Sequence, residues 1–294
     1  MALIDLCICS YRRPELLQTL IAVARQTGIA AEELRVIVAD NTQTGEARDL
    51  VARASAQLPL ALEYVHAPAD NISIARNACL DHAYAPWTAF IDDDEIPAPD
   101  WLGMLLAEAE RGKWDVVLGP VKAVYPDDAP DWARKGDFHS TYPVRVQGGI
   151  RTAYTGNILF RRDLVERHGF RFRLDLGKSG GEDEDFFYRV FDAGGRIGFA
   201  PDAIAYERVA RERANMNWLL RRNFRAGQSH GARLEARKSR ARDIALASAK
   251  AAFCGAGAML CAFHAVRRNR YLTRAALHAG VVARLSGWSA IAIY

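Results

Sequence analysis

Over its first 124 residues the chain repeats one pattern: a short apolar run that stops at polar residues, then a stretch with apolar residues at helical spacing. The runs are residues 3–9 (LIDLCIC), 34–39 (LRVIVA), 62–65 and 87–91. Between them, Leu16, Leu17, Leu20, Ile21 and Ala24 recur every three or four residues, and 46–56 and 73–83 carry the same period. Strands alternating with helices at this length predict βαβ units, hence an α/β fold with a Rossmann-like, mostly parallel central sheet flanked by helices. A helix at 98–112 and a strand at 114–124 continue the series. Residues 126–150, rich in Pro, Asp and Gly, read as a long loop. Thr155-Gly156-Asn157 leads into a short apolar run and a helix at 161–168, and a further helix is expected at 182–193.

Ligands in such sheets bind beyond the carboxyl ends of the strands. Those ends carry Ser10-Tyr11-Arg12, Asp40-Asn41 and Asp92-Asp93-Asp94, which predicts a single site. Four consecutive carboxylates, Asp92 to Glu95, repel one another and call for a hard divalent cation that shares its oxygen shell with a phosphate. A solvated acidic turn is the plainer alternative, whereas the spaced carboxylates and central glycine of an EF-hand are missing. Gly180-Gly181-Glu182-Asp183-Glu184-Asp185 puts carboxylates at a helix start behind two glycines. An acidic first turn suits the helix dipole by itself. Next to a metal–diphosphate site, one of these carboxylates becomes a candidate base for an attacking hydroxyl. Arg76, early in its helix, is placed to meet a phosphate or a carboxylate. Tyr11 suits base stacking or plain packing, and Asp40 suits a base or ribose contact or a turn cap.

Together the stretches CICSYRRPELL, VIVADNT, NISIARNACL, FIDDDEIP, YTGNILFRR and GGEDEDFFYRV resemble family 2 inverting glycosyltransferases of the GT-A fold, close to bacterial exopolysaccharide enzymes of the succinoglycan-biosynthesis kind. They occur in family order over about residues 3–230. The resemblance implies transfer of a sugar from a nucleotide-sugar donor, usually a UDP-sugar, to a glycan hydroxyl with inversion, the acceptor being a lipid-linked saccharide. It implies nucleotide contacts from Ser10, Tyr11, Arg13, Asp40, Arg76, Asp92 and Asp93, with Tyr11 stacked on uracil. Asp94 then ligates Mg²⁺ or Mn²⁺ at the diphosphate, and Asp183 is the general base. Gly156, Asn157, Gly181 and Glu182 are expected on the acceptor side. Two positions depart from the family: Arg12 where Asn is common, and Asp40-Asn41 where Asp-Asp or Asp-Gly is common.

The charge is divided along the chain. Residues 1–204 hold 22 Lys and Arg against 31 Asp and Glu, whereas residues 205–294 hold 17 against 4. We therefore expect a catalytic domain at 1–204 and a helical, basic C-terminal region at 205–294. Arg221 and Arg222 in the latter are candidates for diphosphate contact, within an amphipathic stretch that also contains Trp218 and Phe224. Residues 244–263 are apolar and about long enough to span a bilayer, but they contain Lys250 and many alanines. Arg267, Arg268 and Arg270 follow, then a second apolar stretch with Trp288 and Tyr294. The expectation is peripheral attachment to an anionic membrane surface, with packing of these helices on the body as the alternative.

The N-terminus lacks the basic leader and apolar core of a signal peptide, so the catalytic part is expected in the cytoplasm. Five cysteines without a C-x-x-C pair argue against a disulfide framework or a structural zinc site. A sugar-1-phosphate nucleotidyltransferase would need a glycine-rich basic loop after the first strand, and none is present. A nucleic-acid binder using the basic tail would leave the carboxylate clusters without a role, and the acidic body repels phosphate backbones.

Overall fold

The computed structural model describes residues 2–178, 180–235, 239–289 and 291. Of the basic and aromatic tail residues, Arg237, Lys238 and Tyr294 fall outside that set. In chain order the elements begin with β1 (Ile4–Ser10), α1 (Leu16–Val23), β2 (Leu34–Asp40), α2 (Arg48–Gln57), β3 (Ala61–His66), α3 (Ile72–His82) and β4 (Trp87–Asp92). Then come β5 (Glu95–Pro97), α4 (Trp101–Gly112), β6 (Val116–Leu118), β7 (Val121–Val124), α5 (Asp131–Gly136), β8 (Arg145–Val146) and β9 (Gly149–Ile150). The series ends with β10 (Asn157–Arg161), α6 (Arg162–His168), α7 (Glu182–Asp192), β11 (Ile197–Phe199), β12 (Ala205–Arg208), α8 (Met216–Leu234), α9 (Arg240–Leu260) and α10 (Ala265–Leu285).

The chain divides into two compact units, residues 1–122 with 140–207, and residues 123–139 with 208–294. The first contains a seven-stranded sheet in the order β11-β6-β10-β4-β1-β2-β3. All neighbours are parallel except β10, which runs antiparallel to both β4 and β6. This is the predicted α/β fold with a mostly parallel sheet. Alternation along each strand feeds two cores. Ile4, Leu6 and Ile8 of β1 join Leu16, Leu20, Trp101 and Leu105 on one face. Cys7 joins Ile37, Phe90, Phe160, Phe172, Phe186 and Phe187 on the other. All five cysteines are free, as expected.

Two expectations need correction. The single strand at 114–124 is two strands, β6 in the large sheet and β7 in a three-stranded sheet of order β5-β12-β7. Gly119-Pro120 separates them, and proline has no N–H to continue a ladder. The long loop at 126–150 contains α5 and the β8–β9 hairpin. Part of it, residues 123–139, belongs to the second unit, so the chain passes between units within β7 and again within β12.

Aromatic packing fixes α7 against the sheet. Phe186 stacks on Phe172 at a centroid distance of 4.3 Å and meets Phe187 edge-on at 5.0 Å; Phe160 meets Phe187 at 5.7 Å. Phe186 is fully buried, four residues after Glu182, so this cluster sets the height of the helix start. Phe186→Ala should lower unfolding stability by about 3–5 kcal/mol, checked by denaturant titration of the full chain.

Candidate active site

The side chains at the ends of β1 and β4 and at the start of α7 meet in one electrostatic cluster. Asp92 lies within reach of Arg76, Asp94, Glu182 and Arg13. The Arg76 guanidinium is buried and pairs through Nη1 with Glu182 Oε1. Burial works against its charge, but Glu182, Asp183 and Asp92 outweigh that loss and hold it firmly protonated. The second oxygen of Glu182, Oε2, is buried and has no hydrogen-bond partner among the described residues. Arg13 Nη2 stands 3.4 Å from Asp94 Oδ2.

Three side chains of α3 hold the segment that leads to this cluster. Asn71 Nδ2 donates to Leu174 O at 2.9 Å and Ser73 Oγ to Arg173 O at 2.8 Å. Asn77 Nδ2 donates to Phe172 O at 2.9 Å, and its Oδ1 accepts from Phe172 N at 2.8 Å. Ser73, Arg76 and Asn77 share a helix face by their three- and four-residue spacing. The helix that presents Arg76 therefore also carries the strap before Glu182. Gly180 and Gly181 then turn the chain into α7 with φ of 80° and 91°, a conformation open to glycine at little cost.

Loss of hydration first, and repulsion from neighbouring carboxylates second, raise the pKa values of Asp92, Asp93, Glu95 and Asp183. Asp92 is pushed up to about 6, chiefly by burial, with Arg76 opposing and Asp94 and Glu182 adding. Asp93 is pushed up to about 7 by burial and then by Asp94 and Asp92. Burial and then Asp92 drive Glu95 well above the carboxylate range; its Oε2 accepts from Asp92 N at 3.0 Å. Asp183 rises to about 7, first through burial and then through Glu182, with Arg76 opposing.

The expected site residues do not all face a ligand. Tyr11 is 41% exposed, with the Arg12 guanidinium over its ring at 5.3 Å. Asp93 is turned inward, where it accepts from Tyr11 N at 3.2 Å and from the Ser10 hydroxyl, so Ser10 and Asp93 shape the turn after β1. Gly156 abuts the acidic cluster: a side chain there would come within 2.6 Å of Glu95 Oε1 and 3.3 Å of Asp92 Oδ2. Asp185 is engaged by Arg189 at 2.9 Å. Arg221 and Arg222 lie on α8 of the second unit, where Arg222 sits over the Trp218 ring at 5.3 Å.

Two of the expected site residues are engaged within the fold, and Asp40 takes the turn-capping alternative. Asp40 is fully buried, with Oδ1 taken by Thr42 N and Oγ1 and Oδ2 by Ala47 N and the Tyr64 hydroxyl. These four bonds use its acceptor capacity in capping the turn, leaving none for a base. Asn157 is also fully buried; it accepts from Trp101 Nε1 at 2.7 Å and donates to Pro120 O and Ala203 O, so it braces the interior rather than an acceptor pocket. Sequence reasoning missed the roles of Asn71, Ser73 and Asn77, and took Glu95 only as the last of four clustered carboxylates. The helical spacing of Ser73 and Asn77 beside Arg76 was the available signal for the first group.

The model of the family described as "Glycosyl transferase family 2" matches residues 5–169, which include β1 to β4 and the acidic strand end. The chain belongs to glycosyl transferase family 2. It is 50% identical over 295 residues to the succinoglycan biosynthesis protein ExoM of Rhizobium meliloti (strain 1021), covering 99% of this chain and 95% of that protein. Among solved structures it resembles the mannosyltransferase PcManGT of Pyrobaculum calidifontis, in complex with GDP-Man and Mn²⁺ (TM-score 0.66, 20% identity, 96% of this chain and 87% of that one). It also resembles residues 1–349 of S. aureus TarS in complex with UDP-GlcNAc (TM-score 0.58, 19% identity), an alignment spanning 75% of this chain and just under two thirds, 65%, of that one. These two likenesses support the GT-A fold of the first unit.

The protein is thus a glycosyltransferase with an acidic, partly dehydrated site. Arg12, where the family often has Asn, adopts φ of 55°, a left-handed conformation that Asn enters more readily than Arg. Asp183, the proposed base, has its pKa raised to about 7 by burial and then by Glu182, and is protonated below neutrality. With Asp183 as base, transfer should rise about tenfold per pH unit on the acid side and level off above an apparent pKa near 7. A kcat/KM profile across about pH 5–9 checks this.

Proposed function

We propose that this glycosyltransferase moves a sugar from a UDP-sugar to a hydroxyl of a growing exopolysaccharide, carried on a lipid-linked intermediate, by a single inverting displacement. The observation that carries the reading is one buried arginine, Arg76, set between carboxylates of two elements: Asp92, with Asp94 acting on it in turn, on one side, and Glu182 and Asp183 on the other. The reaction needs a cationic partner for a departing diphosphate and a base for an incoming hydroxyl, and these are the chemical types the cluster offers.

Asp183 is assigned the base. As the acceptor oxygen bonds to the anomeric carbon and the bond to the diphosphate breaks, Asp183 takes the hydroxyl proton. Its raised pKa suits that task at neutral pH. Glu182, tied to Arg76, orients the first turn of α7, and its unpartnered Oε2 is offered to an acceptor hydroxyl. Arg76 thereby holds the acceptor side instead of the nucleotide. Tyr11 supplies a ring for the uracil, and Arg13 a cation beside the diphosphate.

The donor set also fits a hard divalent cation. Among the described residues no group of three or more His, Cys, Asp and Glu side chains is arranged to hold a metal by itself. Asp92 and Asp93 nevertheless carry pKa values raised first by burial and further by neighbouring carboxylates, a repulsion that a cation would offset. Asp94, with Asp92 behind it, would hold Mg²⁺ or Mn²⁺ in company with the diphosphate oxygens. When bound, the ion supplies Lewis-acid stabilisation of the leaving diphosphate. The UDP-GlcNAc and GDP-Man–Mn²⁺ complexes of the two structural neighbours support a nucleotide-sugar donor and a metal, and the name of the Rhizobium relative supports the pathway.

Calorimetric binding of UDP with and without Mn²⁺ tests the assignment. UDP should bind the native chain more tightly with Mn²⁺, and Asp94→Ala should lose about tenfold or more of that metal-dependent affinity, or roughly 1.4 kcal/mol. Equal binding by Asp94→Ala, or none by the native chain, would remove the UDP–metal assignment.

A further inference from the structure

The second unit presents a surface that catalysis does not use. α9 packs on its neighbours through a narrow stripe, Ala247, Cys254 and Ala258, and Ala247 joins Val281 and Leu285 of α10 in a small core. On the opposite side Leu246, Phe253 and Leu260 follow one another at seven-residue spacing and are 48%, 70% and 87% exposed. Met259 and Phe263, at the turn between α9 and α10, are 75% and 101% exposed. A surface helix of a soluble unit normally turns polar residues outward. Here the four most exposed large apolar side chains among the described residues, Phe263, Leu260, Met259 and Phe253, lie on the last turns of α9 and the turn that follows it, the tip between α9 and α10.

The charges around that tip are of one sign. From Ile244 to Tyr294 the chain contains no Asp or Glu and six Lys and Arg. Lys250, Arg267 and Arg274 are exposed on the two helices that bear the tip. Between Lys250 and Arg267 no residue is charged except through protonation of His264.

We propose that the α9–α10 tip docks on an anionic phospholipid bilayer, with Phe263, Leu260, Met259 and Phe253 entering the acyl boundary and Lys250, Arg267 and Arg274 forming a collar at the phosphates. Buried apolar area and attraction of basic residues to anionic headgroups are the two contributions that hold an interfacial helix. The dimensions agree: from Phe253 to Leu260, the end of α9, the helix rises about 10 Å at 1.5 Å per residue, the depth such elements reach. Lys250 lies about 15 Å from Leu260 on the same scale and marks the limit of entry. A bilayer span is disfavoured because α9 is held along its length by α10, which carries five arginines. A second copy of the chain is disfavoured because it would set Lys250 and Arg267 against the same charges with no carboxylate nearby. The inference rests on the second unit and is independent of the donor assignment.

Co-sedimentation of the full chain with vesicles tests it. Vesicles of phosphatidylglycerol and phosphatidylcholine in equal parts should bind the native protein about tenfold or more better than phosphatidylcholine alone, and added salt should weaken binding. Phe263→Glu and Leu260→Glu should each cost about tenfold in partitioning. Lys250→Glu with Arg267→Glu should abolish the preference for phosphatidylglycerol. These side chains face solvent, so the variants should keep the native circular dichroism and thermal midpoint and the native UDP–Mn²⁺ binding, which separates failure of the tip from failure of the donor reading. The proposal is overturned if the native chain stays in the supernatant, if it binds both vesicles equally, if the glutamate variants bind as the native chain does, or if their only effect is to dissociate a dimer.

Discussion

Arg76 and Glu182 form a buried ion pair 106 residues apart in sequence, and the acidic site is arranged around it. A buried guanidinium costs several kcal/mol in lost hydration unless carboxylates surround it. Here Glu182, Asp183 and Asp92 do so, and the carboxylates in turn depend on the guanidinium to keep their charge. α3 delivers the arginine, holds residues 172–174 through Asn71, Ser73 and Asn77, and so determines where the two glycines release α7. The aromatic cluster of Phe160, Phe172, Phe186 and Phe187 sets the same helix against the sheet from its apolar side.

The acidic residues divide into those spent on the fold and those left to the ligand. Asp40, Asp93 and Glu95 each accept hydrogen bonds that shape the strand ends. Among the described residues Asp94 is less committed, facing Arg13 at 3.4 Å, and Asp183 accepts from Glu184 N. A crowded strand end in which the inner carboxylates brace and the outer ones remain available explains how so much negative charge is tolerated beside one another. It also leaves a place where a cation and a diphosphate relieve the repulsion.

Much of this was legible in the residues. Continuous apolar runs located the central strands β1, β2 and β4, which are buried on both faces, and the 3.6-residue period located the helices, which bury one. Gly180-Gly181 marked the entry to α7, and the acidic strand end marked the candidate site. Position along a strand does not fix where a side chain points when local partners compete for it. Asp40 was drawn to Thr42, Ala47 and Tyr64, and Asn157 to Trp101 and two carbonyls, so strand-end polarity overstated both. Arg76 suited a phosphate or a carboxylate equally from sequence, because its partner comes from a distant segment. The break at Gly119-Pro120 and the transfer of residues 123–139 to the second unit depend on tertiary pairing that local pattern does not encode.

The most direct test of the central pair is a double-mutant cycle on the rate of UDP release from the sugar donor, with Arg76→Met, Glu182→Gln and the combined variant. If the pair acts as one unit that orients Asp183, each single change lowers the rate by roughly a hundredfold and the combination lowers it little further, a coupling of about 2–3 kcal/mol. If the two losses multiply, Arg76 and Glu182 act independently and the site is not organised around their contact.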